Sequence, residues 1–176
     1  MSLQRKISAS KNASKTYCSP GDKMDPADVR RHNEDISFEC EEGDLVEFPR
    51  EGVHAHWVVY IGRGKVIHLT GESAKTAKVQ EDRFWDVVGD SVAKINNYLD
   101  RERDVLPTDE IIEKARSKLG TKRYDAASYN CEHFATWCRY GVEWSQQVEN
   151  AKTIGVVATV VTGVAAAAAA AVRLAP

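Results

Sequence analysis

HAHWVVYIGRGKVIHLTG, residues 54–71, is the stretch that decides the fold. Its apolar and β-branched residues predict two strands, and the Gly-Arg-Gly sequence at 62–64 predicts a tight turn between them. Because side chains alternate between the two faces of a strand, His54 and His56 share a face. Across the turn, His68 reaches that same face. We therefore expect this hairpin to bring His56 and His68 close together.

Strand character is not confined to the hairpin. It begins with GDLVEFPR at residues 43–50 and continues in the segment that runs through Asn97. Helical patterns follow, and strands followed by helices predict an α+β fold. A single folded domain over residues 41–150 is expected, which suits a chain of 176 residues.

Two helices are predicted after the strands. The first, LPTDEIIEKARSKLG at residues 106–120, has Thr108 as its N-cap and Gly120 as its terminator. Its buried stripe is expected to comprise Ile111, Ala115 and Leu119. The second helix is predicted to begin near Asn130 and to end at Gly141.

Residues 1–40 are predicted to form a disordered leader. Residues 1–20 are rich in serine and carry four basic residues without an acidic one: Arg5, Lys6, Lys11 and Lys15. Such a composition offers too little apolar surface to drive folding. The alternatives are an organelle-targeting peptide or a basic patch that contacts anionic lipid.

The C-terminal segment differs in kind, since residues 153–172 contain no charged residue. About 20 uncharged residues match the thickness of a bilayer core, so the segment is predicted to be a transmembrane tail anchor. The folded domain would then stay in the cytosol, against a phospholipid membrane. Small residues recur every four positions from Gly155 to Ala171, which favours helix-mediated self-association. The alternative is an alanine-rich helix that does not insert.

Charge and cysteine usage exclude several classes of protein. The formal net charge of −2 gives no overall attraction to nucleic acid, and we expect none as a partner. The N-terminus has no apolar stretch typical of a secretory signal, so a reducing compartment is expected for the four cysteines. The absence of a C-x-x-C pair disfavours a zinc ribbon or a redox motif.

Cys131 is the candidate nucleophile, because it stands in the first turn of the second predicted helix. The positive end of a helix dipole is expected to lower the pKa of its thiol, and a neighbouring imidazole would lower it further. His56 is the candidate base and His68 the group that orients it. His133 points away from Cys131 and is interpreted as a residue that supports the site. Cys138 is interpreted as core packing, with a redox partner as the alternative.

Three blocks of the sequence together resemble the family of lecithin:retinol acyltransferase and the small phospholipase A/acyltransferases. They are GDLVEFPR, HWVVYIGRGKVIHL and YNCEHFATWCRYGV, within Gly43 to Val148. The run from Asn130 to Phe134 is the most diagnostic part. The resemblance implies a permuted papain-like, NlpC-related α+β fold, in which an antiparallel sheet bears two histidines and a helix presents the cysteine. The run from Arg139 to Val142, followed by Ser145 and Gln147, is closer to the phospholipase-like branch.

The resemblance also implies a chemistry for these positions. Cys131 is the nucleophile, His56 the general base and acid, and His68 the residue that orients His56. The implied enzyme is a thiol-dependent phospholipase A/acyltransferase without cofactor or metal. It takes an acyl chain from a glycerophospholipid onto Cys131 and passes it to water, to an amine such as phosphatidylethanolamine, or to an alcohol. His54 stands where the smaller enzymes tend to have Tyr, so His54 and Asn130 are candidates for stabilising the oxyanion.

Three alternatives remain open from the sequence. The domain could be a catalytically silent, membrane-anchored interaction module. It could be an NlpC-type cysteine amidase or peptidase. Finally, Cys131 could form a zinc site with His54, His56 or His68.

Overall fold

A computed structural model describes residues 24–50, 55–71, 76–122 and 130–150 of the chain. Within these ranges the elements are, in chain order, α1 (Pro26–Glu39), β1 (Leu45–Phe48), β2 (His56–Tyr60), β3 (Lys65–Thr70), β4 (Lys78–Arg83), α2 (Phe84–Val88), β5 (Lys94–Ile95), α3 (Thr108–Ser117) and α4 (Cys131–Tyr140). The predicted α+β class is confirmed. A permuted papain-like connectivity stays a prediction.

The strands form one antiparallel sheet in the order β4-β3-β2-β1-β5. Its centre is the predicted hairpin of β2 and β3. The turn between them has positive φ at Gly62 (86°), Arg63 (54°) and Gly64 (68°). Glycine adopts this left-handed backbone without a steric penalty, which is why the Gly-Arg-Gly sequence turns here.

The two faces of the sheet carry separate hydrophobic clusters. Trp57 and Val59 of β2 belong to the cluster that packs under α3 and α4. Val58 and Tyr60 belong to the cluster on the opposite face, where Ile36 of α1 packs. The predicted alternation of β2 is therefore confirmed, and it puts a helical layer on both sides of the sheet.

The predicted helices are confirmed, with two corrections in the first. α3 is preceded by Pro107 in the N-cap position, and Thr108 is its first helical residue. Ile111 and Ala115 are buried as predicted, but Leu119 is 42% exposed. The helix ends at Ser117, so Leu119 no longer follows the helical stripe.

The prediction of a disordered leader is wrong for residues 26–39, which form α1. Asp25 caps the helix by accepting from the N–H of Ala27, and Pro26 occupies the first turn. Asn33 is 1% exposed, and its side chain bonds the Ser91 carbonyl and the Ala93 N–H. Polar contacts of this kind leave little apolar periodicity in the sequence, so the polar composition was a misleading indicator of disorder.

Two predictions fall on residues outside the described ranges. They are the basic N-terminal stretch before residue 24 and the tail anchor at 153–172. Among the helices of the described ranges, none is long and apolar enough to span a bilayer. The tail anchor and the self-association through it stay predictions.

Candidate active site

Cys131 is presented by the first turn of α4. The Asn130 side chain accepts from the N–H of His133 at 3.1 Å, and the N–H of Asn130 donates to Nδ1 of His133 at 3.2 Å. This reciprocal capping satisfies N–H groups that the helix leaves without partners. Gly141, with φ of 74°, ends the helix as predicted. Asn130 and His133 therefore fix the helix start that carries Cys131.

The sheet contributes the two histidines as a directly bonded pair. Nε2 of His56 on β2 lies 2.7 Å from Nδ1 of His68 on β3. Val59 lies opposite Ile67, so the same register puts His68 opposite Val58. His56 is two residues from Val58 on the same face, and the two histidines are therefore diagonal neighbours on adjacent strands. His68 is 4% exposed. The expectation that the hairpin brings His56 and His68 together is confirmed.

A third group extends the diagonal onto the next strand. Nε2 of His68 lies 2.9 Å from Oδ2 of Asp82 on β4. His68 is opposite Gln80 in the register of β3 and β4, and Asp82 is two residues further along the same face. Asp82 was not among the predicted site residues. Alternation along β4 predicts that Gln80 and Asp82 share a face. The sequence does not show the register of β3 and β4, which places these two residues beside His68.

Cys131, His56 and His68 open onto one cleft of about 550 Å³. Its described lining also includes Arg50, Ala55, Thr70, Gly71, Asp82, Asp86 and Val87. The structure thus brings together the three residues predicted to form the site. His54, the predicted oxyanion residue, lies outside the described residues.

The environment of the Cys131 thiol corrects one expectation. Its Sγ donates to the carbonyl oxygen of Ala55 at 3.7 Å. Burial raises the pKa of this thiol, although the backbone N–H groups of Trp57, Cys131 and Glu132 favour the thiolate. The expected net lowering by the helix N-terminus is wrong, because desolvation of the charged form outweighs the local dipoles.

Burial also keeps the two histidines neutral. It lowers the pKa of His56 to about 3, and the neighbouring His68 and Arg50 add to the effect. Burial likewise lowers the pKa of His68, although the hydrogen bond to Asp82 works in the opposite direction. At neutral pH the site therefore holds a neutral thiol beside neutral imidazoles, without an ion pair.

Glu132, directly after Cys131, anchors the chain that follows α4. Its side chain is fully buried and accepts from Tyr98 at 2.9 Å, Ser145, the N–H of Gln146 at 3.0 Å and Nε2 of Gln147 at 3.0 Å. Nε2 of Gln147 also reaches the carbonyl of Ala55 at 3.4 Å. A buried carboxylate needs such donors, so Glu132 fixes both the start of α4 and residues 145–147 beside the site.

Cys138 and the possible metal ligands are the remaining candidates from the sequence. Cys138 is fully buried in the cluster under α4, and burial raises the pKa of its thiol. This agrees with the interpretation of Cys138 as core packing. Within the part of the chain that the structure describes, no group of three His, Cys, Asp or Glu side chains is arranged to hold a metal ion.

Fold and cleft together define an α+β domain in which a helix N-terminus brings a cysteine to a histidine pair on an antiparallel sheet. A sequence model of the family described as lecithin retinol acyltransferase matches residues 38–144. The chain belongs to this family, and the resemblance seen in its motifs is confirmed.

Three similar proteins carry the name phospholipase A and acyltransferase. Phospholipase A and acyltransferase 4 of Homo sapiens is 41% identical over 132 residues, covering 66% of this chain and 80% of the relative. Phospholipase A and acyltransferase 2 of Homo sapiens is 36% identical over 132 residues, covering 66% and 81%. Phospholipase A and acyltransferase 3 of Mus musculus is 37% identical over 130 residues, covering 65% and 80%.

Proposed function

We propose that this protein is a phospholipase A/acyltransferase that works through a thioester on Cys131. It takes an acyl chain from a glycerophospholipid and passes it to water, an amine or an alcohol. The observation that carries the proposal is the shared cleft of Cys131, His56 and His68, in a chain whose relatives are named for both activities. These groups supply a nucleophile, a base and a partner for that base.

In the first half of the reaction, Sγ of Cys131 attacks the ester carbonyl carbon while His56 takes the thiol proton. The tetrahedral intermediate then expels the lysolipid alkoxide, which receives that proton from His56, and the acyl thioester remains. The raised pKa of Cys131 and the lowered pKa of His56 favour proton transfer during the attack over a preformed thiolate.

Backbone groups around Sγ are suited to stabilise the oxyanion. The N–H groups of Trp57, Cys131 and Glu132 lower the pKa of the Cys131 thiol, so they favour negative charge at its sulfur. When the sulfur is bonded to carbon, these donors are available to the negative oxygen beside it. In the second half, His56 deprotonates the acceptor as it attacks the thioester, and the thiol is restored.

The mass of the intact protein after incubation with phosphatidylcholine vesicles tests this proposal. The full chain should gain a fatty-acyl increment that hydroxylamine releases, since hydroxylamine cleaves thioesters. Cys131→Ala should show no increment. Cys40→Ala is the matched control, because Cys40 packs against the cluster of Val46, Val58 and Val66 and is not among the residues that line the cleft. A folded protein without increment and without released lysolipid would overturn the proposal.

We also propose that residues 153–172 hold the domain at a membrane. The described chain reaches residue 150, so few residues separate the folded domain from this segment. Such a short connection supports access to phospholipid headgroups. Flotation of the full chain with liposomes should be lost when residues 153–176 are deleted, and flotation of the shortened chain would contradict the assignment.

A further inference from the structure

His56, His68 and Asp82 form a row of hydrogen-bonded side chains across three strands. The proposed mechanism gives no role to Asp82. We propose that Asp82 is a positioning residue that orders the protons along His68 and His56, so that Nδ1 of His56 is the nitrogen that accepts the Cys131 proton. The inference deepens the proposed function and rests on it.

The proton order follows from the chemistry of the groups in the row. A carboxylate only accepts hydrogen bonds, so the 2.9 Å contact requires Nε2 of His68 to carry a proton and donate to Asp82. A neutral imidazole has a single N–H, which leaves Nδ1 of His68 as an acceptor. The 2.7 Å contact then requires Nε2 of His56 to donate. The free lone pair of His56 is consequently on Nδ1.

The hydrogen bond between the two histidines does not by itself determine which ring nitrogens carry the protons. The contact between His56 and His68 is equally satisfied if His68 donates from Nδ1 to Nε2 of His56. In that reversed order, Nδ1 of His56 already carries a proton and cannot accept one from the thiol. Only a group that accepts without donating, at the far end of the row, excludes the reversed order. Asp82 is that group.

The other charged groups near these side chains do not determine the tautomers of the two histidines. Arg50, Asp86 and Cys131 line the same cleft, and Arg50 acts on both histidines through its positive charge. Among the hydrogen bonds between described residues, the contact to Nε2 of His68 comes from Asp82. Glu81, the residue before Asp82, faces the opposite side of β4 and pairs with Lys65 at 2.7 Å.

The expected size of the effect follows from exposure. In a buried catalytic triad, changing the orienting aspartate to asparagine lowers kcat by about 10⁴ through the wrong tautomer. The side chain of Asp82 is 43% exposed, so water competes for His68 when the carboxylate is lost. We expect a smaller loss, about 10- to 100-fold in the rate of thioester formation, with little change in KM.

The direct test is the tautomer of each histidine in the full chain, read from long-range ¹H–¹⁵N spectra in detergent micelles. In the wild type, His56 and His68 should both be Nε2–H tautomers. In Asp82→Asn the amide can donate to His68, and both rings should shift toward Nδ1–H. Asp82→Glu should keep the wild-type tautomers, and Glu81→Gln, as matched control, should leave tautomers and rate unchanged.

The outcomes separate this inference from the proposed function. Slower thioester formation in Asp82→Asn together with the tautomer shift supports it, and recovery of the rate in Asp82→Glu adds to that support. An Nδ1–H tautomer of His56 in the wild type overturns it, even if Asp82→Asn does not fold. Unchanged tautomers in Asp82→Asn also overturn it. If the tautomers behave as expected but no variant, including the wild type, forms a thioester, the proposed function fails instead.

Discussion

Replacing Glu132 by glutamine is the perturbation that tests the architecture of the site most severely. The side chain is fully buried, and its two oxygens accept from the hydroxyls of Tyr98 and Ser145 and from N–H groups of residues 146 and 147. Glutamine removes the charge and turns one acceptor into an NH₂ group that faces donors. Losing one charge-assisted hydrogen bond costs about 1.5–3 kcal/mol.

Because the donors that remain are neutral, we expect Glu132→Gln to lose about the value of one such bond, about 1.5–3 kcal/mol, from the free energy of unfolding. For a domain of this size the unfolding temperature should fall by roughly 10 °C. The assay is thermal unfolding of the full chain in detergent, followed by tryptophan fluorescence. Glu113→Gln, on the exposed side of α3, is the matched control and should change the unfolding temperature very little. An unchanged unfolding temperature in Glu132→Gln would refute the reasoning that these donors require a carboxylate.

Three further predictions concern protonation and ion pairing. Unfolded histidine binds a proton near pH 6.5 but folded His56 only near pH 3, so stability is fully present above pH 6.5 and is lost as the pH falls. The free energy of unfolding, measured by urea titration between pH 7 and 5, should fall by up to about 1.4 kcal/mol per pH unit for each such histidine, and His56→Gln should reduce this slope. Alkylation of Cys131 by iodoacetamide should be slow at pH 7 and accelerate above the ordinary thiol range, because burial raises its pKa; rapid labelling at pH 6, followed by mass spectrometry, would contradict a neutral resting thiol. Arg139→Lys should destabilise the domain by about 2 kcal/mol, because lysine cannot reproduce the two bonds to Asp100 at 2.9 and 2.8 Å together with the bond to the Gly43 carbonyl; equal unfolding temperatures would show that these bonds add little.

Local patterns in the sequence were sufficient to predict the parts of the site that are local in the fold. A glycine-flanked turn fixes the hairpin, so the proximity of His56 and His68 follows from alternation alone. The bounds of α4 follow from Asn130 and Gly141, which cap its two ends. These features join residues no more than 12 positions apart in the chain, which is the range over which sequence patterns act.

Features that depend on distant partners could not be predicted in the same way. The proximity of Asp82 to His68 can be predicted only once the register of β3 and β4 is known. Glu132 accepts from Tyr98 and from residues 145–147, and nothing in its neighbours along the chain signals that convergence. The direction of the pKa shift of Cys131 was predicted from the helix dipole, but the opposing term is burial, which only the packed structure reveals.

The attachment of α1 has a practical consequence for anyone trimming this protein. The family match begins at residue 38, near the end of α1, so a fragment cut to match would lack most of that helix. It would lose the bonds from Asn33 to the Ser91 carbonyl and the Ala93 N–H, and Ile36 would no longer cover the cluster beneath it. The loop so released directly follows α2, which lines the cleft through Asp86 and Val87. A fragment intended to report the native activity should therefore begin before Asp25.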